Sequence, residues 1–354
     1  MLYSAGMRPY RFVPPALALA VAGVLACLSP GCAHAVGSVS TVAARPLGMG
    51  GAFVAIEDEA AAAAWNPAAF LPRQCRRRGG FRFHVNVLGA PAIARETGLL
   101  GGDETDEFDR LSGLERLGIA VGGALKSIGY RRGGFACGVL LLEEHLWPAG
   151  LEESRGLADA SDLLDGYYST LCVTFRLGSS VSIGAAETLF ARFDESGERR
   201  FGVGRSYGAL LRPNDEVSVG LVYVDVPKAY DHFRRQLEGL APRTMNAGLA
   251  WRPRKSLVLT FDLRDMAEKH DDTALKPRFG FEWNLWGKGA VRAGHYREER
   301  AGADVLSVGV GAIPMESCGV GAVEGRADAY VLNYAALLSE AVGPRHLLSV
   351  MLHF

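Results

Sequence analysis

Beyond residue 36 the chain lacks any run near the roughly 20 consecutive apolar residues that a membrane helix needs. Cysteine is scarce: Cys27 and Cys32 fall in an N-terminal apolar stretch, and Cys75, Cys137, Cys172 and Cys318 lie far apart in the remainder. With no Cys-x-x-Cys pair, spacing supports no zinc motif and fixes no disulfide, so free thiols, buried or facing lipid, are expected. The eight histidines contain no His-x-x-x-His pair, and His145 beside Glu143 and Glu144 reads as a solvated loop residue. No metal site is therefore expected. Charge of one sign is missing as well, since 38 basic and 39 acidic residues leave a net charge of -1. Arg76, Arg77 and Arg78 form an isolated basic run that reads as a turn, so nucleic acid is not an expected partner. Catalytic groupings are also wanting. Gly48-Met49-Gly50-Gly51 fails as a dinucleotide fingerprint, because Phe53 replaces the third glycine and Arg45-Pro46 interrupts the place of the preceding strand. No Ser/His/acid constellation is legible, so neither an enzyme nor a cofactor is expected.

What is present begins with an export signal. Arg8 and Arg11 supply a positive region, Pro15 to Leu28 an apolar stretch, and Ala33-His34-Ala35 a small-residue cleavage site. Residues 1–35 are read as a signal peptide, 36–78 as a plug segment and 79–354 as a barrel. A lipoprotein signal, acylated at Cys27 or Cys32, stays open beside the first reading.

After residue 79 the hydrophobicity alternates with period two. Phe81, Phe83, Val85 and Val87 interleave with Arg82, His84 and Asn86; Leu257 to Leu263 and Phe279 to Leu285 repeat the pattern. A β-barrel hides its lipid-facing surface in this way, about ten residues per strand, and closes its hydrogen bonds between strands so that no polar edge meets lipid. Short polar breaks such as Gly178-Ser179, Pro213-Asn214-Asp215 and Pro253-Arg254 punctuate the apolar runs. Fourteen strands are expected, at 80–90, 116–127, 133–144, 167–177, 180–193, 199–211, 215–225, 243–252, 255–265, 275–286, 289–298, 303–312, 320–335 and 345–354. The fold class is thus all-β: a transmembrane antiparallel up-and-down barrel with an N-terminal segment in its lumen. Segments 91–115, 145–166, 226–242 and 265–274 read as outer loops. Trp251, Trp283, Trp286, Tyr223 and Tyr296 stand near strand ends, where an interfacial aromatic belt is expected. The closing strand alternates Leu348, Val350, Leu352 and Phe354 up to the terminus, an apolar edge that a soluble domain would leave open to aggregation.

Ahead of the strands, Arg45 to Phe70 reads RPLGMGGAFVAIEDEAAAAAWNPAAF. Gly48, Gly50 and Gly51 permit left-handed angles and close chain approach, and Ala60 to Ala64 are expected to form a slim helix. Asn66 and Pro67 end it, because a proline biases its predecessor away from helical angles, and Ala68 completes the stop. Such a segment suits a narrow cavity.

This combination resembles the FadL-like outer-membrane barrels, especially their PorV/PorQ-type branch. Residues 48–55 (GMGGAFVA) and 65–68 (WNPA) match the family's N-terminal pattern, and LNYAALLSEAVGPRHLLSVMLHF (332–354) is similar to its final strands. The resemblance implies a hatch inside a 14-stranded barrel, seated in outer-membrane lipid, with a closing strand of the kind that barrel-assembly machinery recognises. It implies cargo such as long-chain fatty acids or other hydrophobic compounds, with Gly48, Gly50, Gly51, Asn66, Pro67 and Ala68 as gating residues. PorV-like relatives instead receive secreted proteins as adaptors without transport, and that alternative stays open, as does a surface adhesin built on the outer loops. By strand register Arg82, Arg176, Arg192, Asp262, Arg264, Arg278, Glu282 and Arg292 point into the lumen. Buried charges need partners, so these residues either tie the hatch to the wall or line a polar path for an amphiphile's carboxylate.

Overall fold

The computed structural model describes residues 43–57, 60–71, 80–86, 125–143, 167–193, 199–225, 243–264, 266, 276–285, 289–297, 303–312, 329–339 and 345–353. Fourteen strands run β1 (Gly80–Asn86), β2 (Leu125–Arg132), β3 (Phe135–Glu143), β4 (Tyr167–Leu177), β5 (Val181–Phe193), β6 (Arg199–Leu211) and β7 (Val217–Asp225). They continue as β8 (Arg243–Arg254), β9 (Leu257–Arg264), β10 (Lys276–Leu285), β11 (Gly289–Arg297), β12 (Asp304–Ala312), β13 (Ala329–Ser339) and β14 (Arg345–His353). Each strand pairs antiparallel with its sequence neighbours, and β1 pairs with β14 from Arg82↔His353 to Asn86↔Ser349, which closes the barrel.

Period-two alternation decides what each face carries. Along β12, Leu306, Val308 and Val310 are exposed while Val305, Ser307 and Gly309 are buried. The same parity leaves Phe81, Leu171, Phe175, Tyr207, Leu249, Phe279 and Trp283 on the outside, with Leu171 57% exposed. A closed sheet has no edge to satisfy and its outer face is a band of large apolar side chains, so this is a membrane-spanning barrel.

Short turns join several hairpins. Gly133 and Gly178 take φ of 59° and 74°, and Asn214 Oδ1 accepts from the amides of Glu216 and Val217 before β7. Two strands end beyond the expected positions. β2 runs on past the expected end at 127 to Arg132, because Ile128 and Tyr130 keep the outward parity, opposite Phe83 and Phe81, right up to the tight Gly133-Gly134 turn. β13 runs on past the expected end at 335 to Ser339, where pairing with β14 and β12 carries the strand through Leu337 and Leu338. The expected strand residues 116–124 and 320–328, the signal peptide, Trp286 and Phe354 lie outside the described residues. Tyr296 corrects the belt reading: it is buried on the inner face, under the Arg278 guanidinium 4.4 Å from its ring, whereas Trp251, Trp283 and Tyr223 do face outward.

Candidate functional site

The site is the barrel interior, and the part of the chain that fills it is Ala43–Leu71. The helix α1 (Ala44–Gly48) lies against β11 to β14, a 3₁₀ turn at Ala60–Ala64 against β1 to β3, and a second 3₁₀ turn at Pro67–Phe70 against β4 to β6. Met49, Phe53, Ile56, Phe70 and Leu71 are fully buried there. Burial on that scale contributes about 2 kcal/mol for each side chain. The alanine run is a 3₁₀ turn, and α1 takes up residues that the sequence reading left irregular.

The glycines divide their work. Gly50 and Gly51 take φ of 63° and 67°, the left-handed region expected of them, and turn the chain out of α1. Gly48 instead ends α1, and its Cα packs on Gly309. The Gly50 amide donates to Ser307 Oγ at 2.8 Å. Asn66 caps the second 3₁₀ turn, accepting from the Ala68 amide at 2.9 Å while its Nδ2 donates to Val54 O and Ala209 O. It thereby joins both limbs of the inner segment to β6. Pro67 occupies the first position of that turn, which its fixed φ suits, and its carbonyl accepts from Thr174 Oγ1 at 2.5 Å.

Most of the charges assigned inward by parity meet this segment. Glu282, 1% exposed, receives Arg45 through Nε at 2.8 Å and Nη2 at 2.7 Å, and Arg292 Nε at 2.6 Å; Arg292 Nη1 goes on to Asn333 Oδ1. Asp262 Oδ2 accepts the amides of Phe53 and Val54 at 2.7 and 3.0 Å. Arg264 donates to Gly51 O at 2.7 Å, Arg278 to Gly50 O at 3.4 Å and Arg176 to Leu71 O at 2.8 Å. Arg82 bonds its neighbour's carbonyl, Phe81 O, at 3.0 Å. Arg192 lies on β5 opposite Arg200, and its side chain is outside the described set.

Several contributors were not singled out from sequence. Arg45 figured only as part of an interruption where a dinucleotide-binding strand would lie, yet it is the bidentate partner of Glu282. Arg212 pairs with Glu57 at 2.9 Å and donates to Ser182 Oγ, and Arg252 donates to Ser218 Oγ. Ser349 accepts from the Ala44 amide at 3.2 Å. A lone polar residue at inward parity between outward hydrophobes, as Ser349 between Leu348 and Val350, is the signal that marks such anchors. Leu348, Val350 and Leu352 themselves keep outward parity on the closing strand, opposite Tyr334, Leu332 and Tyr330.

The string Gly204-Arg205-Ser206-Tyr207-Gly208 has the spacing of a hydrolase nucleophile elbow, a match that the sequence reading passed over. It runs straight through β6, paired residue for residue with β5, and lacks the strand-to-helix turn that exposes such a serine. Among the described residues no group of three His, Cys, Asp or Glu side chains could hold a metal. Cys137 and Cys172 are free thiols, the second buried; Cys75 and Cys318 lie outside the described residues.

On the outer face an apolar cavity of about 550 Å³ is lined by Leu249, Trp251, Phe261, Phe279, Phe281 and Leu306. Its floor is the backbone at Gly280 and Gly294, behind which Met49 and Gly50 lie.

Together these features define a membrane-spanning barrel with a lumen occupied by its own N-terminal segment. No family model matches the chain, and no curated protein matches it. Solved structures with a similar chain path include the Ralstonia pickettii toluene transporter TbuX, at 12% identity and a TM-score of 0.47, covering 90% of this chain and 99% of that one. A Pseudomonas aeruginosa FadL homologue gives 12% identity and 0.43 over 90% of this chain and 100% of that one. A triple-mutant Rhodopseudomonas blastica porin gives 13% and 0.38 over 78% and 99%. These likenesses concern barrel architecture only.

Proposed function

We propose that this chain is an outer-membrane barrel that passes small hydrophobic or amphipathic compounds, such as long-chain fatty acids, with the Gly48–Ala68 region acting as a hatch and no catalytic role. The observation that carries this reading is the filled lumen: an apolar-coated closed barrel whose interior is occupied by a segment of the same chain, held largely by hydrogen bonds and ion pairs to the wall. A blocked lumen does not suit free diffusion of polar solutes and suits controlled passage. The resemblance of residues 48–55 and 65–68 to the FadL-like pattern supports the same class. Uptake of a fluorescent fatty acid into liposomes carrying the purified protein tests it. Saturable flux that falls when Asn66 or Pro67 is replaced is the expected result, and flux no greater than in protein-free liposomes would end the proposal.

The second reading is an adaptor barrel that docks secreted proteins, as the PorV-like part of the resemblance suggests. It is favoured by the closeness with which the inner segment fits the wall, since a lumen that never opens needs no loose plug. Recovery of a stoichiometric protein partner from envelope extracts, with no fatty-acid flux, would select it.

A further inference from the structure

Apart from Gly129 with Gly138, which meets the Phe70 ring, three glycine pairs face one another across neighbouring strands of the inner wall: Gly184 with Gly208, Gly220 with Gly248, and Gly280 with Gly294. Each pair leaves a hollow where wall side chains would stand, and backbone of the inner segment lies in it. Pro67 and Ala68 occupy the first, Val54 and Ala55 the second, and Met49 and Gly50 the third. A Cβ at Gly184 would overlap Pro67, one at Gly220 the Val54 carbonyl, and one at Gly294 the Gly50 amide. Main chain in contact with main chain leaves no flexible side chain to absorb a shift. The polar anchors cluster at the same places: Asp262 on Phe53 and Val54, Ser307 on Gly50, and Asn66 bridging Val54 and Ala209.

The stretch Ala60–Trp65 is held differently. Among the described residues it makes no hydrogen bond to the wall; the amides of Trp65 and Asn66 both turn back to Ala62 O. Ala62 and Ala63 pack by apolar contact, Trp65 is half-buried against Phe53, and Ala64 is exposed. This stretch faces β1 to β3, away from the three paired hollows.

We infer that the inner segment stays seated as a fixed partition while the barrel works, and that Ala60–Trp65 is the part that shifts, opening a path past Ala64 on the side of β1 to β3. The path depends on the transport reading; the seating does not. Deuterium exchange of the full chain in detergent, with and without dodecanoate, separates the two. Amides of Gly50, Phe53, Val54 and Ala68 are expected to exchange as slowly as those of β11, while Ala60–Trp65 exchanges more than about tenfold faster and alone responds to dodecanoate. Fast exchange throughout 45–70, or slow exchange through Ala60–Trp65, overturns the inference. In liposomes Ala64→Trp is expected to lose dodecanoate flux with the slow amides unchanged, and flux equal to the parent's overturns the path. Should the parent itself carry no dodecanoate, the transport reading falls while the exchange pattern still decides the seating.

Discussion

Glu282 shows most sharply how single residues hold this interior. One buried carboxylate bridges Arg45 from the inner segment and Arg292 from the wall, with Asn333 taking a further guanidinium donor. Glu282→Ala would leave two guanidiniums without a carboxylate, a loss of about 3–5 kcal/mol for a broken buried pair. The expected outcome is a clear drop in the temperature at which the folded barrel converts to its slow-migrating unfolded form on electrophoresis; an unchanged midpoint would refute the account. Asn66→Ala removes one accepted and two donated hydrogen bonds. At about 1 kcal/mol each, it should shift the same midpoint less than Glu282→Ala does. The inward parity of Glu282 and Arg292 was legible in the sequence, whereas their shared partner Arg45 was not. Nothing local in RPLG reveals that its arginine will meet a strand 237 residues away.

For the strands, alternation predicts which substitutions matter by face. Leu171 faces outward from the middle of β4, and a lysine there would cost about 2–4 kcal/mol at the bilayer midplane. Leu171→Lys is expected to lower the folded fraction recovered in lipid vesicles far more than Arg205→Lys, an exposed and conservative change on β6. Equal recovery of the two would place Leu171 away from lipid. The limits of β4 and β6 coincide with those expected from periodicity, since apolar alternation there stops at clear turn residues. β2 and β13 did not yield to the same reasoning. Arg131 and Arg132 look like turn residues but belong to a strand, and the register of β13 is imposed by its partners β12 and β14. Tyr296 failed for a different reason: four residues from Arg292 on β11, it shares that arginine's inward parity, and the Arg278 guanidinium lies over its ring there.

Across the whole molecule, closure between β1 and β14 and the occupied lumen are the defining facts. Deleting residues 43–71 should convert an electrically silent barrel into a conducting one in planar bilayers, because the segment that fills the interior would be gone. Absence of conductance in a deletion variant that still folds would show that something else seals the lumen. The protein is also expected to require detergent for solubility, since outward Phe81, Phe279 and Trp283, each about half exposed, have only lipid to cover them.

By itself the sequence determined the strand number, the faces of most strands and the presence of a small-residue segment ahead of them. Those properties follow from local periodicity and from glycine and proline chemistry. Only the tertiary structure decided which wall residues receive that segment, because the paired hollows at Gly184/Gly208, Gly220/Gly248 and Gly280/Gly294 and the Arg45–Glu282–Arg292 bridge join residues from distant parts of the chain. Contacts of that kind depend on barrel closure, which brings these residues together through strand pairing rather than sequence proximity.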